Sequence, residues 1–112
     1  MASISSVTLL WSNASPGSSF AAQTVSDLNL APYDFIVFAY NRSTTNQRAA
    51  SMCAPVSSGQ INLQYTQPAS GDQGARPVTW TSTSISFGAC HAGSNTAANG
   101  NCIPTHVYGV SL

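Results

Sequence analysis

The chain has 112 residues, enough for one domain with a single core, and only 5% of them are charged, against a usual share of about 25%. Arg42, Arg48 and Arg76 balance Asp27, Asp34 and Asp72, with no Lys and no Glu, so no basic patch exists to neutralise phosphates. Nucleic-acid binding and polybasic membrane attachment are disfavoured. No apolar run approaches the ~20 residues needed to span a bilayer, and the N-terminus shows neither the charged nor the apolar region of a secretory signal.

Ser, Thr, Asn and Gln fill 42 positions, so hydroxyls and amides do the solvating that charge normally does. That composition suits a secreted or virion surface, or a subunit that buries much of itself in an oligomer. Three cysteines, Cys53, Cys90 and Cys102, are an odd number and not a disulfide framework. A Cys90–Cys102 bridge is compatible with the spacing; free, partly buried thiols are the simpler reading.

In chain order, residues 7–11 (V-T-L-L-W) read as a first strand with Val7, Leu9 and Trp11 on one face. Residues 12–19 are a turn by composition. Residues 20–25 read as a second strand, and Leu28 and Leu30 continue its alternation before Ala31-Pro32 turns the chain. Residues 33–40, Y-D-F-I-V-F-A-Y, are almost all aromatic or β-branched. Eight such residues are too few for a good helix, and their unbroken apolar character predicts a central strand covered on both faces. Phe35, Val37 and Ala39 point one way, and Ile36, Phe38 and Tyr40 the other.

Residues 41–47 are polar and read as an exposed loop. Residues 48–56 form a weaker strand in which Pro55 favours an edge or a bulge. Residues 60–65 alternate cleanly, with Ile61, Leu63 and Tyr65 inward. Residues 67–75 read as a second open loop. Val78 and Trp80 share one face of the next strand. A tight hairpin through residues 81–84 leads to Ile85 and Phe87. Residues 88–101 are the longest stretch without predicted structure, rich in Gly, Ala and Asn and without an apolar anchor, and residues 103–112 close the chain as a last strand. Many turn signals, about eight short strands and no helical periodicity predict an all-β fold over residues 1–112: an antiparallel β-sandwich, jelly-roll-like.

Catalytic signals are weak. Glycoside hydrolysis needs two carboxyl groups at a set separation, and only three Asp exist. No G-x-S-x-G elbow occurs. Cys90, His91, Cys102 and His106 amount to four zinc-ligating side chains, but the adjacent first pair cannot easily chelate one tetrahedral ion. No cofactor and no metal is expected. Asn13-Ala14-Ser15 and Asn41-Arg42-Ser43 match the glycosylation pattern, which arises by chance in a chain this rich in Ser and Asn. Binding remains. Sugar recognition uses amides, hydroxyls, Arg and aromatic platforms on loops held by a rigid scaffold. The loops after Tyr40 and after Gly88 offer Asn41, Arg42, Asn46, Arg48, His91, Asn95 and Asn99, of which Asn41, Arg42, Arg48, His91, Asn95 and Asn99 are the candidate ligand-binding residues. Trp11 and Trp80 alternate with apolar neighbours and read as core first, platforms second.

The run T-L-L-W-S-N-A-S-P-G-S-S-F-A-A-Q-T-V (residues 8–25), then Y-D-F-I-V-F, then C-I-P-T-H-V-Y-G-V (residues 102–110), resembles in its order a family of small bacteriophage proteins. These are encoded among tail genes, notably in phages of gut bacteria, alone or as C-terminal modules of tail-fibre-like receptor-binding proteins. Residues 43–75 and 88–101 lie outside the resemblance. It implies a virion tail component with other phage tail proteins as partners, typically a homotrimer, and carries over no catalytic residue. Together with the loop chemistry it leads to the expectation of a non-catalytic module that binds host cell-surface carbohydrate. Alternatives are a purely structural tail, collar or capsid-decoration subunit, recognisable by an exposed apolar face and no polar cleft; an enzyme, recognisable by a cleft gathering two of the three Asp residues, or His91 with a serine and Asp72; and a secreted lectin-like domain of cellular origin.

Overall fold

The structure, a computed structural model, describes residues 3–67, 71–93 and 96–112, without the side chain of Gln67. Its strands are β1 (Ser6–Ser12), β2 (Gln23–Val25), β3 (Phe35–Ser43), β4 (Ala49–Pro55), β5 (Gln60–Gln67), β6 (Asp72–Trp80), β7 (Ile85–Phe87), β8 (His91–Ala92), β9 (Thr96–Ala97) and β10 (Asn101–Ser111), with a single 3-10 turn at Val56–Ser58 among the described residues. One antiparallel sheet runs β1-β10-β3-β4. The other is built on β6, which pairs with β5 on one side and with β7 and then β8 on the other; β2 joins β7 and β9 joins β8. The two sheets pack as the expected β-sandwich.

The apolar run 33–40 does form an inner strand, β3, flanked by β10 and β4. Ile36, Phe38 and Tyr40 are buried with Leu63, Tyr65, Val78 and Trp80 of the opposite sheet. Its other face departs from expectation: Phe35, Val37 and Ala39 remain half-exposed, because no further layer among the described residues covers them. Register places Leu9, Tyr108, Val37 and Cys53 in one row across this outer face and Val7, Val110, Phe35 and Pro55 in the next.

β1 also departs from the predicted pattern. A bulge between Leu9 and Trp11 sets these two residues opposite the consecutive Tyr108 and Val107. The extra residue shifts the side-chain phase, which a strict period of two cannot anticipate. Trp11 therefore turns inward, its ring 5.2 Å from Phe87 and 5.9 Å from Phe20. Val7 and Leu9 stay outside, 58% and 53% exposed, alongside Ile4 and Leu112.

Of the predicted second strand only Gln23–Val25 is regular, although Phe20 and Leu30 are buried as core anchors. β6 begins at Asp72, inside the stretch read as an open loop; residues 68–70 lie outside the described residues. The 81–84 hairpin forms as predicted, closed by Thr81 N–H donating to the Ser84 carbonyl at 2.9 Å. Pro77 explains why β7 and β8 are separate. Its carbonyl accepts from Gly88 N–H at 2.8 Å, so its own missing N–H faces the same neighbour and the ladder lapses there. Gly88 suits the break: a Cβ on it would come within 2.7 Å of the Pro77 ring.

Candidate functional site

Three connections meet at one end of the sandwich. Asn101 pairs with Ser43, Thr44 N–H donates to the Gly100 carbonyl at 3.0 Å, and Gly93 N–H donates to the Gln73 carbonyl at 2.8 Å. The β3–β4 turn is held by its own polar groups. Asn46 N–H donates to the Ser43 hydroxyl at 2.8 Å, and Ser43 N–H donates to the Asn46 carbonyl at 2.9 Å. Such side-chain-to-backbone bonds are the reason Ser and Asn dominate turns.

Arg42, at the end of β3, organises this surface. Its guanidinium carbon lies 4.4 Å from the centroid of the Tyr65 ring, its Nη1 donates to Asn101 Oδ1 at 2.6 Å, and its Nη2 stands 3.6 Å from Asp72 Oδ2. The Arg42 side chain is 15% exposed and that of Asp72 is 46% exposed. Tyr65 is buried beneath it, and Asn101 Nδ2 donates to its hydroxyl at 3.4 Å. Burial, followed by the Asp72 charge, pushes the Tyr65 phenol above its ordinary value. Gly74 makes the placement of the ring feasible: a Cβ there would meet the His91 carbonyl and come within 2.6 Å of the Tyr65 ring.

Two open, polar depressions adjoin the stack. One, of about 350 Å³, is lined by Tyr65, Thr66, Gln73, Gly74, His91 and Gly93 among others. The other, of about 270 Å³, is lined by Arg42, Thr44, Thr45, Asn46, Gly100 and Asn101 with Ser43. Between them they present a guanidinium, amides, hydroxyls and an imidazole, a donor and acceptor set suited to a neutral polyhydroxylated ligand, with the Asp72 carboxylate adjoining through Arg42.

Behind this surface lies a second arginine. Arg76 is wholly buried, and its guanidinium donates only to carbonyls: Nε to Cys102 at 2.9 Å, Nη1 to Gly88 at 2.8 Å, and Nη2 to Asn99 at 3.3 Å and Asn101 at 3.1 Å. The ring of Phe20 packs 5.2 Å from it. Burial lowers its pKa from the ordinary arginine value. Arg76 thus ties residues 88, 99, 101 and 102 together through their carbonyls, and the stretch expected to lack an apolar anchor has one in Cys90, fully buried in the core. Cys102 adopts φ +46°, which costs a non-glycine residue about 1–2 kcal/mol, and its carbonyl turns to Arg76.

The candidate residues divide accordingly. Arg42 and His91 line the depressions. Asn41 occupies a strand position paired with Ala49 and Ile103. Arg48 is exposed, and its carbonyl accepts from Arg42 N–H at 2.9 Å. Asn99 belongs to the scaffold: its Oδ1 accepts from Cys90 N–H at 2.9 Å and its carbonyl from Phe20 N–H at 2.9 Å. Asn95 lies outside the described residues. Sequence reasoning missed Tyr65, Asp72 and Asn101, because strand alternation marked Tyr65 as core and Asp72 fell in a presumed loop. The four zinc-ligating side chains are not gathered; Cys90 and Cys102 are buried while His91 and His106 are exposed. No family model, curated protein or solved structure compared with the chain matches it.

Proposed function

We propose that this chain is a bacteriophage tail- or fibre-associated module, extracellular on the virion, that binds host cell-surface glycan without catalysis through the loop end of the sandwich. The observation that carries the reading is the Arg42–Tyr65 stack, with Asp72 and Asn101 on the guanidinium, set beside two open polar depressions. Ligand hydroxyls exchange well with such groups because each is already oriented by a neighbour. The separation of two of the three carboxylates supports a non-catalytic role: Asp34, before the start of β3, accepts from Leu112 N–H at 2.8 Å, while Asp72 stands against Arg42 near the other end of that strand. Shallow sites bind weakly one at a time, so a homotrimer would supply affinity through effective concentration. A glycan array and a bacterial-cell pull-down with light-scattering-confirmed trimer test the proposal. Retention that drops with Arg42→Ala is expected; no retention by the trimer would remove the reading.

A second reading rests on the outer face of β1, β10 and β3. Exposed Val7 and Leu9 adjoin half-buried Val37 and Tyr108, and these four side chains carry no charge. That face favours a structural subunit that packs against other phage tail proteins or its own copies. A chain that stays monomeric by light scattering at high concentration, and that purified tails do not retain, would remove it.

A further inference from the structure

We infer that Cys90 and Cys102 are a disulfide-forming pair, closed in an oxidising milieu, that locks the 88–101 segment onto the sandwich. The two side chains are both fully buried in the same core cluster, and one clasp holds both backbones: Cys90 N–H donates to Asn99 Oδ1 at 2.9 Å, while the Arg76 guanidinium donates to the Asn99 carbonyl at 3.3 Å and to the Cys102 carbonyl at 2.9 Å. Cys53, by contrast, is exposed on β4 and stands apart in the register, opposite Val37. All three are free thiols in the structure.

The surroundings favour the bond on three counts. Among its described residues the segment between the two cysteines has only short strands, so a covalent closure at its neck removes much of the freedom of its unfolded form. Its neck is already aligned by Ala98 N–H donating to the Cys90 carbonyl and by Asn101 N–H donating to the Ala98 carbonyl, each at 2.9 Å. The Arg76 guanidinium is bonded to the Cys102 carbonyl at 2.9 Å and to the Gly88 carbonyl at 2.8 Å, and its fixed positive charge favours the thiolate at both cysteines, the attacking species in exchange. Accepting a hydrogen bond from Cys102 holds Cys90 below its ordinary value, and the same contact pushes Cys102 up.

The step balances with a small disulfide such as oxidised glutathione. The Cys90 thiolate attacks one sulfur of the reagent and expels one glutathione thiolate. Cys102, deprotonated, then attacks the mixed disulfide at the Cys90 sulfur and expels the second. The chain loses two hydrogens, and two glutathione thiols are formed. Because both sulfurs are buried, exchange takes place during folding or when the segment opens. The inference stands whether or not the cleft binds sugar.

The test uses full-length Cys53→Ser protein, refolded from denaturant in excess oxidised glutathione so that burial cannot block access, then denatured and treated with N-ethylmaleimide. The expected product takes up no label, weighs about 2 Da less than the reduced chain and takes up two labels after reduction. Its thermal midpoint should exceed that of the reduced form by on the order of 10 °C. The Cys90→Ala/Cys102→Ala variant should show no such dependence on redox conditions. Two labels without reduction, a persistent glutathione adduct, or a bridged form less stable than the reduced one would overturn the inference.

Discussion

Two arginines, Arg42 on β3 and Arg76 on β6, have opposite fates in one small domain. Arg76 has no exposed surface and donates to four backbone carbonyls, whereas Arg42 keeps solvent contact and is shared by a ring, an amide and a carboxylate. The first arrangement is closed, since its donors meet acceptors fixed in the backbone and away from solvent. The second is open, since each contact is one that a ligand hydroxyl could join or replace. In a chain with so few charges, this difference separates the residue that builds the loops from the residue the loops present.

The largest effect should come from removing Arg76. Arg76→Met fills much of the space but leaves the carbonyls of Cys102, Gly88, Asn99 and Asn101 without this donor. Each buried acceptor left unsatisfied costs about 1–3 kcal/mol, so the sum is a large part of the roughly 5–15 kcal/mol that holds a typical domain. Urea unfolding should show that loss or no folded protein at all. Arg76→Lys should recover only part of it, because one ammonium cannot span a planar fork of acceptors. If Arg76→Met unfolds within 1 kcal/mol of the parent, the contrast between the arginines is wrong.

Gly74→Ala should come next. The added methyl would meet the His91 carbonyl and the Tyr65 ring, and the carbonyl belongs to a paired backbone that cannot swing away. Overpacking of this kind costs about 1–3 kcal/mol. It should also displace Tyr65 from beneath Arg42, so ligand retention should fall together with stability. Chemical denaturation and cell pull-down on the same sample check both.

How much of this was legible follows from what each feature depends on. The sandwich, the inner strand at residues 33–40, the 81–84 hairpin and the burial of Trp80 all rest on local composition and a period of two, and these were readable. The bulge that turns Trp11 in and leaves Leu9 out rests on one extra residue in register with β10, which no local pattern encodes. Arg42 and His91 were picked out as polar groups on loops, but the role of Arg42 depends on Tyr65, 23 positions along the chain and placed under it by the packing of two sheets. The role of Arg76, on which the sequence prompted no reading, depends likewise on residues far along the chain. A charge at the start of a strand looks solvated until the carbonyls of a distant loop fold over it.

The buried tyrosines sharpen the comparison through pH. Tyr40 donates to the Gln64 carbonyl at 2.7 Å, and burial raises the pKa of both Tyr40 and Tyr65 above the ordinary 10.0. A raised value means that the folded state keeps its phenolic proton while the unfolded chain releases it. The contribution is therefore fully present below about pH 10 and is lost as pH climbs toward the folded values, by at most about 1.4 kcal/mol per pH unit for each tyrosine. Unfolding midpoints between pH 9 and 11 should fall, and Tyr65→Phe should flatten part of that slope.

The smallest effect on stability should come from Asp72→Asn. Its carboxylate is nearly half exposed and 3.6 Å from Arg42, and an ion pair of that kind contributes about 0–1 kcal/mol, screened further by salt. The amide keeps the shape, and the Arg42 stack on Tyr65 should persist, so unfolding should shift by no more than about 0.5 kcal/mol. Glycan retention should nonetheless weaken, since an acceptor facing solvent is exchanged for a group that is half donor. Paired urea titrations and pull-downs would separate the two readouts. A loss of 2 kcal/mol or more would mean that the Arg42 cluster is held as tightly as the one around Arg76, and that the loop end of the sandwich is a second structural clasp with no opening for a ligand.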